Sequence, residues 1–219
     1  MISIAIDGPS GSGKSTISDI IAKKYGLLHV DTGALYRTVG LYVYRNDVAP
    51  DDIPNVVKLL ETIDLRVDFK DGKQLMYLGD EDVTPYIRTN IISSYASKTS
   101  AIPQVRAFLL DTQRNLSKKF SVIMDGRDIG TVILPDADLK IFMEVNNEEK
   151  ARRRWLELQE KGEKFTYEEV LKSMLERDSD DKNRKVAPAI PADDAIFVDN
   201  SGSLEDTLNT IYKLIDKII

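Results

Sequence analysis

The sequence predicts an α/β fold: a five-stranded parallel sheet covered by helices on both faces, with a small inserted antiparallel β lobe and a short helical lid. Three observations predict it. Short β-branched and apolar runs alternate along the chain with helical apolar stripes, the pattern of parallel strands joined by crossover helices. The first run, Ile2 to Ile6, leads straight into a glycine-rich loop and then a helix. One stretch, about Ile63 to Thr84, breaks the rhythm with alternating residues and a tight turn.

Each element has its own signal. Ile2, Ile4 and Ile6 suit a buried parallel strand. The helix after the loop carries Ile17, Ile20, Ile21 and Tyr25 on one stripe. Leu27 to Val30 is a second strand, closed by Asp31-Thr32-Gly33 as turn and cap, and a helix follows from about Ala34 to Arg45. In the irregular stretch Leu65 to Phe69 alternates strictly, Lys70-Asp71-Gly72-Lys73 turns, and Gln74 to Leu78 and Glu81 to Thr84 complete a meander. A helix containing Val105, Leu109 and Leu110 leads back to the strands Ser121 to Met124, ending at Asp125, and Leu139 to Val145. Asn146 or Asn147 caps the next helix, which Gly162 ends. Thr166 to Glu169 is a capping box for a helix that buries Val170, Leu171, Met174 and Leu175. Ala195 to Val198 is the fifth strand. The last helix starts near Ser203, with Leu204, Leu208, Ile211, Tyr212, Ile215 and Ile218 at helical spacing.

Composition sets the limits. A chain of 219 residues buries roughly 70–75% of its unfolded surface, so one core with an appended lobe is expected. The absence of cysteine removes disulfides and thiolate metal sites. A net charge of −6 and a pI near 5.0 argue against a general nucleic-acid or anionic-membrane surface. No apolar run is long enough to span a bilayer and no leader pattern precedes Ile2, so a soluble cytoplasmic protein is the expected default; a monomer is expected as well. The single histidine, His29, sits in a strand, outside any motif, and reads as structural.

The run from Gly8 to Ser15 fits G-x-x-x-x-G-K-[ST], the phosphate-binding loop of P-loop NTPases. Gly8, Gly11 and Gly13 can take positive φ, which turns successive N–H groups inward as an anion nest backed by the following helix. Pro9, Ser10, Ser12 and Thr16 are the other residues of this stretch. Lys14 would reach the β- and γ-phosphates of a nucleotide, and the Ser15 hydroxyl would ligate Mg²⁺.

Transfer between two phosphorylated molecules needs further cations, and arginine meets phosphate oxygens two at a time. Arg37 follows the second strand by one helical turn, where it is either an exposed helix arginine or a ligand. Arg127 lies in Asp125-Gly126-Arg127-Asp128-Ile129-Gly130, leaving a buried strand at the end where α/β proteins bind ligands. Arg177, Asp181 and Arg184 stand at i, i+4 and i+7 in an otherwise charged run, which is either a solvated helix end or a clamp on one helical face. Arg152, Arg153 and Arg154, among glutamates, fit ordinary i,i+4 pairing or a lid, about residues 150–168, that covers ATP. No general base stands out. A phosphate acceptor needs none, and for a hydroxyl acceptor Asp128 is the candidate.

The segments IAIDGPSGSGKST, VDTGALYR, SKTSAIPQVR, MDGRDIGTVILPDADLKIF, RRRWLELQEKG and RDSDDKNR resemble the bacterial cytidylate kinase family of nucleoside monophosphate kinases, across essentially the whole chain. The resemblance implies a single P-loop kinase domain over 1–219. Within it lie a monophosphate-binding region at about 32–115, with its β insert at about 63–95, and the lid. It implies that MgATP and CMP or dCMP are the substrates. Gly8 to Thr16 would then hold the ATP phosphates and Mg²⁺. Thr32, Arg37, Arg127 and Arg184 would hold the acceptor phosphate or bridge it to the donor. Ser97, Arg106 and Asp128 would read cytosine, Arg177 and Asp181 would face the sugar, and Arg153 and Arg154 would belong to the lid. Lys14, Arg127 and Arg184 are the expected catalytic cations. The alternatives are UMP, another monophosphate or a small-molecule hydroxyl as acceptor, and a non-catalytic nucleotide sensor. A guanine-reading N-K-x-D motif is absent from the sequence.

Overall fold

The computed structural model describes residues 1–160 and 162–219; Lys161, within the expected lid, lies outside the described residues. In chain order the elements are β1 (Ser3–Asp7), α1 (Lys14–Tyr25), β2 (Leu28–Asp31), α2 (Thr32–Arg45), α3 (Ile53–Leu59), β3 (Leu65–Lys70), β4 (Lys73–Leu78), β5 (Glu81–Asp82), α4 (Asn90–Thr99) and α5 (Pro103–Lys119). There follow β6 (Val122–Gly126), a π-helical turn at Ile129–Ile133, β7 (Leu139–Glu144), α6 (Asn147–Glu160), α7 (Tyr167–Asn183), β8 (Ile196–Asp199) and α8 (Leu204–Ile215). Five strands form one sheet in the order β2-β6-β1-β7-β8, and three form a second in the order β3-β4-β5. The chain divides into two compact units, one of Leu27–Val122 with Met1 and one of Ile2–Gly26 with Ile123–Ile219.

In the second unit β1 pairs parallel with β7, Ile4 opposite Leu139, and β7 pairs parallel with β8. Ile4, Ala5 and Ile6 are fully buried, as a strand covered on both faces requires. Helix α1 buries Ile17 and Ile21, packs on β1 and meets α8, whose Ile211 and Ile215 are fully buried. Helices α6 and α7 form a hairpin around Ala151, Leu158, Val170 and Met174. The expected capping box of α7 is present: Thr166 accepts from the Glu169 N–H and Glu169 accepts from the Thr166 N–H. Leu175 and Leu204, expected in buried stripes, are instead 40% and 44% exposed. Leu175 follows the buried Met174 and falls off the inward stripe of α7, and Leu204 is on the stripe of α8 but is its first residue, at the open end of the helix.

The first unit has its own core, built on Leu35, Val39, Met76, Val83, Val105 and Leu109. Asp31 caps α2 by accepting the Ala34 N–H at 3.0 Å, so this helix begins at Thr32, two residues before the expected start. The meander forms as an antiparallel sheet with Leu65 opposite Leu78 and Val67 opposite Met76. Its turn residues Asp71 and Gly72 both take positive φ, the type I′ geometry that matches strand twist. The third strand is shorter than expected, since Thr84 Oγ1 accepts the Met76 N–H and takes over from backbone pairing. Helices α3 and α4 are additions to the sequence reading. Asp52 caps the first ahead of Pro54, and Thr89 caps the second, whose serines and paired isoleucines blur the helical stripe.

Helices α2 and α4 cross at Gly40. A Cβ there would sit 2.9 Å from the Ala96 nitrogen and 3.2 Å from the Tyr95 Cβ. The obstruction is backbone and cannot swing aside. Gly40→Val is therefore expected to cost about 1–3 kcal/mol, read as a lower urea midpoint at unchanged slope. An unshifted midpoint would contradict the close crossing.

Candidate active site

The loop after β1 is shaped by what its glycines lack. Gly8, Gly11 and Gly13 have φ of 147°, 71° and 86°. A Cβ on Gly8 would lie 2.3 Å from the Met143 carbonyl oxygen, and one on Gly13 would lie 2.5 Å from Asn200 Nδ2. The loop is thus pressed against β7 on one side and held on the other by Asn200, whose amide donates to the Ser12 carbonyl at 2.8 Å. Asn200 is itself oriented by Thr207, which hydrogen-bonds its Oδ1 at 3.0 Å.

Lys14, the first residue of α1, is buried and folds back over the loop. Its ammonium donates to the Pro9 carbonyl at 2.6 Å and to Ser12 Oγ at 3.0 Å. Burial and the nearby Arg127 charge lower its pKa to about 7, against the pull of Asp125, Asp7 and Asp178. Ser15 Oγ donates to Asp125 Oδ2 at 2.7 Å, which joins a hydroxyl to a buried carboxylate at the end of β6. Asp7, at the end of β1, accepts the N–H groups of Ile129 and Gly130, both at 2.7 Å, and so fixes the start of the π-helical turn. Burial raises Asp7 to about 6 despite these two donors.

Arg127, Asp128, Asp181 and Arg184 form an alternating charge chain. Arg127 Nε donates to Asp181 Oδ2 at 3.0 Å, Arg184 Nη2 to Asp128 Oδ1 at 3.3 Å, and Arg184 Nη1 lies 3.7 Å from Asp181 Oδ1. Arg177 and Asp181 are on α7, but the helix ends at Asn183, so the expected continuous face stops short of Arg184: this C-cap residue is in extended backbone and donates from Nε to the Ala187 carbonyl. A cavity of about 220 Å³ beside the loop is lined by Pro9, Arg127, Phe142, Glu144, Asp178 and Asp181. Arg153 pairs with Glu149 at 2.8 Å and donates to the Asn200 carbonyl at 3.0 Å, while Arg154 pairs with Glu157 at 2.7 Å. Two residues without a sequence signal also join this unit's site. Asp178 accepts the Ser10 N–H at 2.9 Å and pairs with Lys150, a lysine of α6 that is only 2% exposed.

In the other unit Asp31 is the hub. Arg37 Nη2 lies 2.6 Å and Arg88 Nη2 2.9 Å from Asp31 Oδ2. Gln74 grips the Asp31 backbone, accepting its N–H at 2.8 Å and donating to its carbonyl at 3.2 Å. Burial opposes ionisation of Asp31, but the Arg37 and Arg88 guanidiniums outweigh it and hold the carboxyl below its usual range. Thr32 is buried at the first position of α2. Arg106 is buried, donates to the Ser100 carbonyl at 3.3 Å and stacks its guanidinium 5.3 Å from the Tyr36 ring centre. Ser97 lies on α4, half-buried, with its carbonyl accepting from Ser100 Oγ. Arg88 and Gln74 escaped the sequence reading because they belong to the inserted region, outside any motif.

A glycine-shaped loop between a buried parallel strand and a helix, with a lysine folded over it, defines a P-loop nucleotide-binding protein. A shikimate kinase from Bacteroides thetaiotaomicron shares the fold, with TM-score 0.51 over 98% of each chain at 12% identity. The chain matches the cytidylate kinase family model over residues 4–217. It is 46% identical to a cytidylate kinase of Caldicellulosiruptor bescii over all of this chain and 97% of that one. It is also 46% identical to one of Fusobacterium nucleatum over 99% of this chain and 98% of that one. The chain belongs to the cytidylate kinase family. No helix among the described residues is long and apolar enough to cross a membrane.

With a pKa of about 7, Lys14 of the free protein is largely neutral at pH 8. A bound polyphosphate favours the charged form. ADP binding at pH 8 is expected to take up close to one proton, which calorimetry in buffers of different ionisation enthalpy reads directly. No uptake at pH 8 would mean that Lys14 is already charged in the free protein.

Proposed function

We propose that the protein transfers the γ-phosphoryl group of MgATP to CMP or dCMP, giving ADP and CDP or dCDP. The observation that carries this reading is the combination of a phosphate-binding loop with two further sets of arginines, one at Asp31 and one at Asp128 and Asp181. A protein that only bound nucleotide would have no use for them, whereas two polyanionic substrates need such cations before they can be brought together.

In this reading Gly8 to Thr16 hold the donor phosphates, with Arg153 and Arg154 in the lid over them. Ser15 and Asp125 supply hard oxygen ligands, which fits a Mg²⁺ shared with the nucleotide rather than caged by protein. When bound, the ion would neutralise phosphate charge. An ionised oxygen of the acceptor phosphate attacks the γ-phosphorus, and the bond to the β–γ bridging oxygen breaks, leaving ADP. Lys14, Arg127 and Arg184 spread their charge over the transferred group, so catalysis is mainly alignment and electrostatics. Arg37, together with Thr32, takes the acceptor phosphate, within the region 32–115. Arg177 and Asp181 face the sugar. Ser97, Arg106 and Asp128 read the base. Cytosine offers an N4 amino donor where uracil has a carbonyl, and a carboxylate acceptor favours the former.

A coupled assay with MgATP and CMP, dCMP, UMP and AMP tests the acceptor. Turnover is expected with the two cytidine nucleotides and to fall steeply with the others. Preference for UMP or AMP would refute the assignment, and binding without turnover would favour a sensor. Arg127→Ala is expected to lower kcat/KM by at least about a hundredfold, the scale of losing one transition-state donor. A well-folded variant with near-normal turnover would remove Arg127 from the catalytic set.

A further inference from the structure

The phosphate-binding loop already holds an anion, and it is one of the protein's own. Asp178 Oδ1 accepts the Ser10 N–H, one of the backbone donors of the loop, at 2.9 Å. Its other oxygen pairs with Lys150 Nζ, and its charge favours the protonated form of Lys14. Two cations and a loop amide therefore bear on one carboxylate, which lines the cavity beside the loop. Lys150 is the more unusual member. It is 2% exposed and projects from α6, and its Cβ would lie 3.7 Å from a side chain on Gly11. A lysine so buried needs a counter-charge, and the loop is where a nucleotide would bring one.

We propose that Asp178 is a resident stand-in for donor phosphate, and that Lys150 is a donor-binding residue which exchanges this carboxylate for the incoming polyphosphate. The assignment rests on reading the loop as the ATP site. Donor phosphate entering the loop competes with Asp178 for the Ser10 N–H and for Lys150. When the carboxylate gives way, Lys150 keeps a negative partner throughout, so the exchange never strands a buried charge. Because Asp178 belongs to α7 and Lys150 to α6, donor binding acts directly on the hairpin that carries the lid. A fixed tie between the loop and the two helices would also use these residues, but the two roles differ in sign: a tie supports the donor site, whereas a stand-in competes with the donor.

Isothermal titration with MgATP in the absence of any monophosphate separates them, using the full-length protein. Asp178→Asn keeps the acceptor for Ser10 but removes the charge. The stand-in role predicts that its MgATP affinity rises at least about fivefold while the KM for CMP stays within about twofold. Lys150→Met is expected to weaken MgATP binding at least about tenfold, and Lys150→Arg to restore it to within about threefold of wild type. Unchanged or weaker MgATP binding by Asp178→Asn would overturn the proposal. So would a Lys150→Met variant that binds MgATP normally. If Asp178→Asn melts too low to titrate, Asp178→Ser makes the same test, because it too removes the competing charge: its MgATP affinity must rise, and an unchanged or weaker affinity overturns the proposal. Failure of the wild-type protein itself to bind MgATP would instead count against the ATP-site reading on which the inference rests.

Discussion

A loop that binds phosphate through backbone N–H groups must bring those groups to a common focus, and here that depends on a contact no side chain could survive. The carbonyl of Met143 stands where a Cβ of Gly8 would be, 2.3 Å away, and the amide of Asn200 crowds Gly13 in the same manner. The loop is therefore wedged between β7 and the segment after β8 rather than merely flexible. Its shape is set by the parallel register that puts Ile4 beside Leu139. Shifting that register would move Met143 and release the loop. The sheet thus acts on the chemistry by fixing where one peptide group stands. Asp7 extends the same logic to the other side of β1, where its buried carboxylate ends the strand and begins the π-helical turn that follows Arg127 and Asp128.

Much of this was legible in the sequence, and the reason is local. Strand, loop and helix around Lys14 announce themselves because each uses a short-range rule: β-branched residues in the strand, glycine at positive φ, an apolar stripe after the lysine. The Thr166 capping box and the meander with its Asp71-Gly72 turn are of the same kind. Arg127 and Arg184 could be singled out because glycines or a helical spacing set them apart. The partners of these cations could not be read. That Asp181 rather than Asp180 takes Arg127 depends on the rotation of α7, which its contacts with α6 decide. Lys150 is the clearest case. It stands in a run of glutamates and arginines on a polar helix, where solvent exposure is the ordinary expectation. Only the tertiary packing of α6 against α7 buries it.

The pairing scheme itself carries a physical argument. A site meant for polyanions must keep several cations, and a buried cation without a counter-charge is costly. The structure resolves this with a carboxylate at four cations: Arg37 with Asp31 in the first unit, and Arg127 with Asp181, Arg184 with Asp128 and Lys150 with Asp178 in the second. Lys14 is the variation, held by a carbonyl and a hydroxyl and kept close to neutrality by burial. Each carboxylate does two opposing things. It orients and stabilises its cation in the free protein, and under the proposed function it would compete for that cation when phosphate arrives. Phosphate can win because it brings more charge and more acceptor oxygens than one carboxylate. Affinity in such a site is then a difference between two anions rather than the strength of one contact. The same difference explains why acidic residues are so frequent in a site for acidic ligands, and why a net charge of −6 is compatible with binding them.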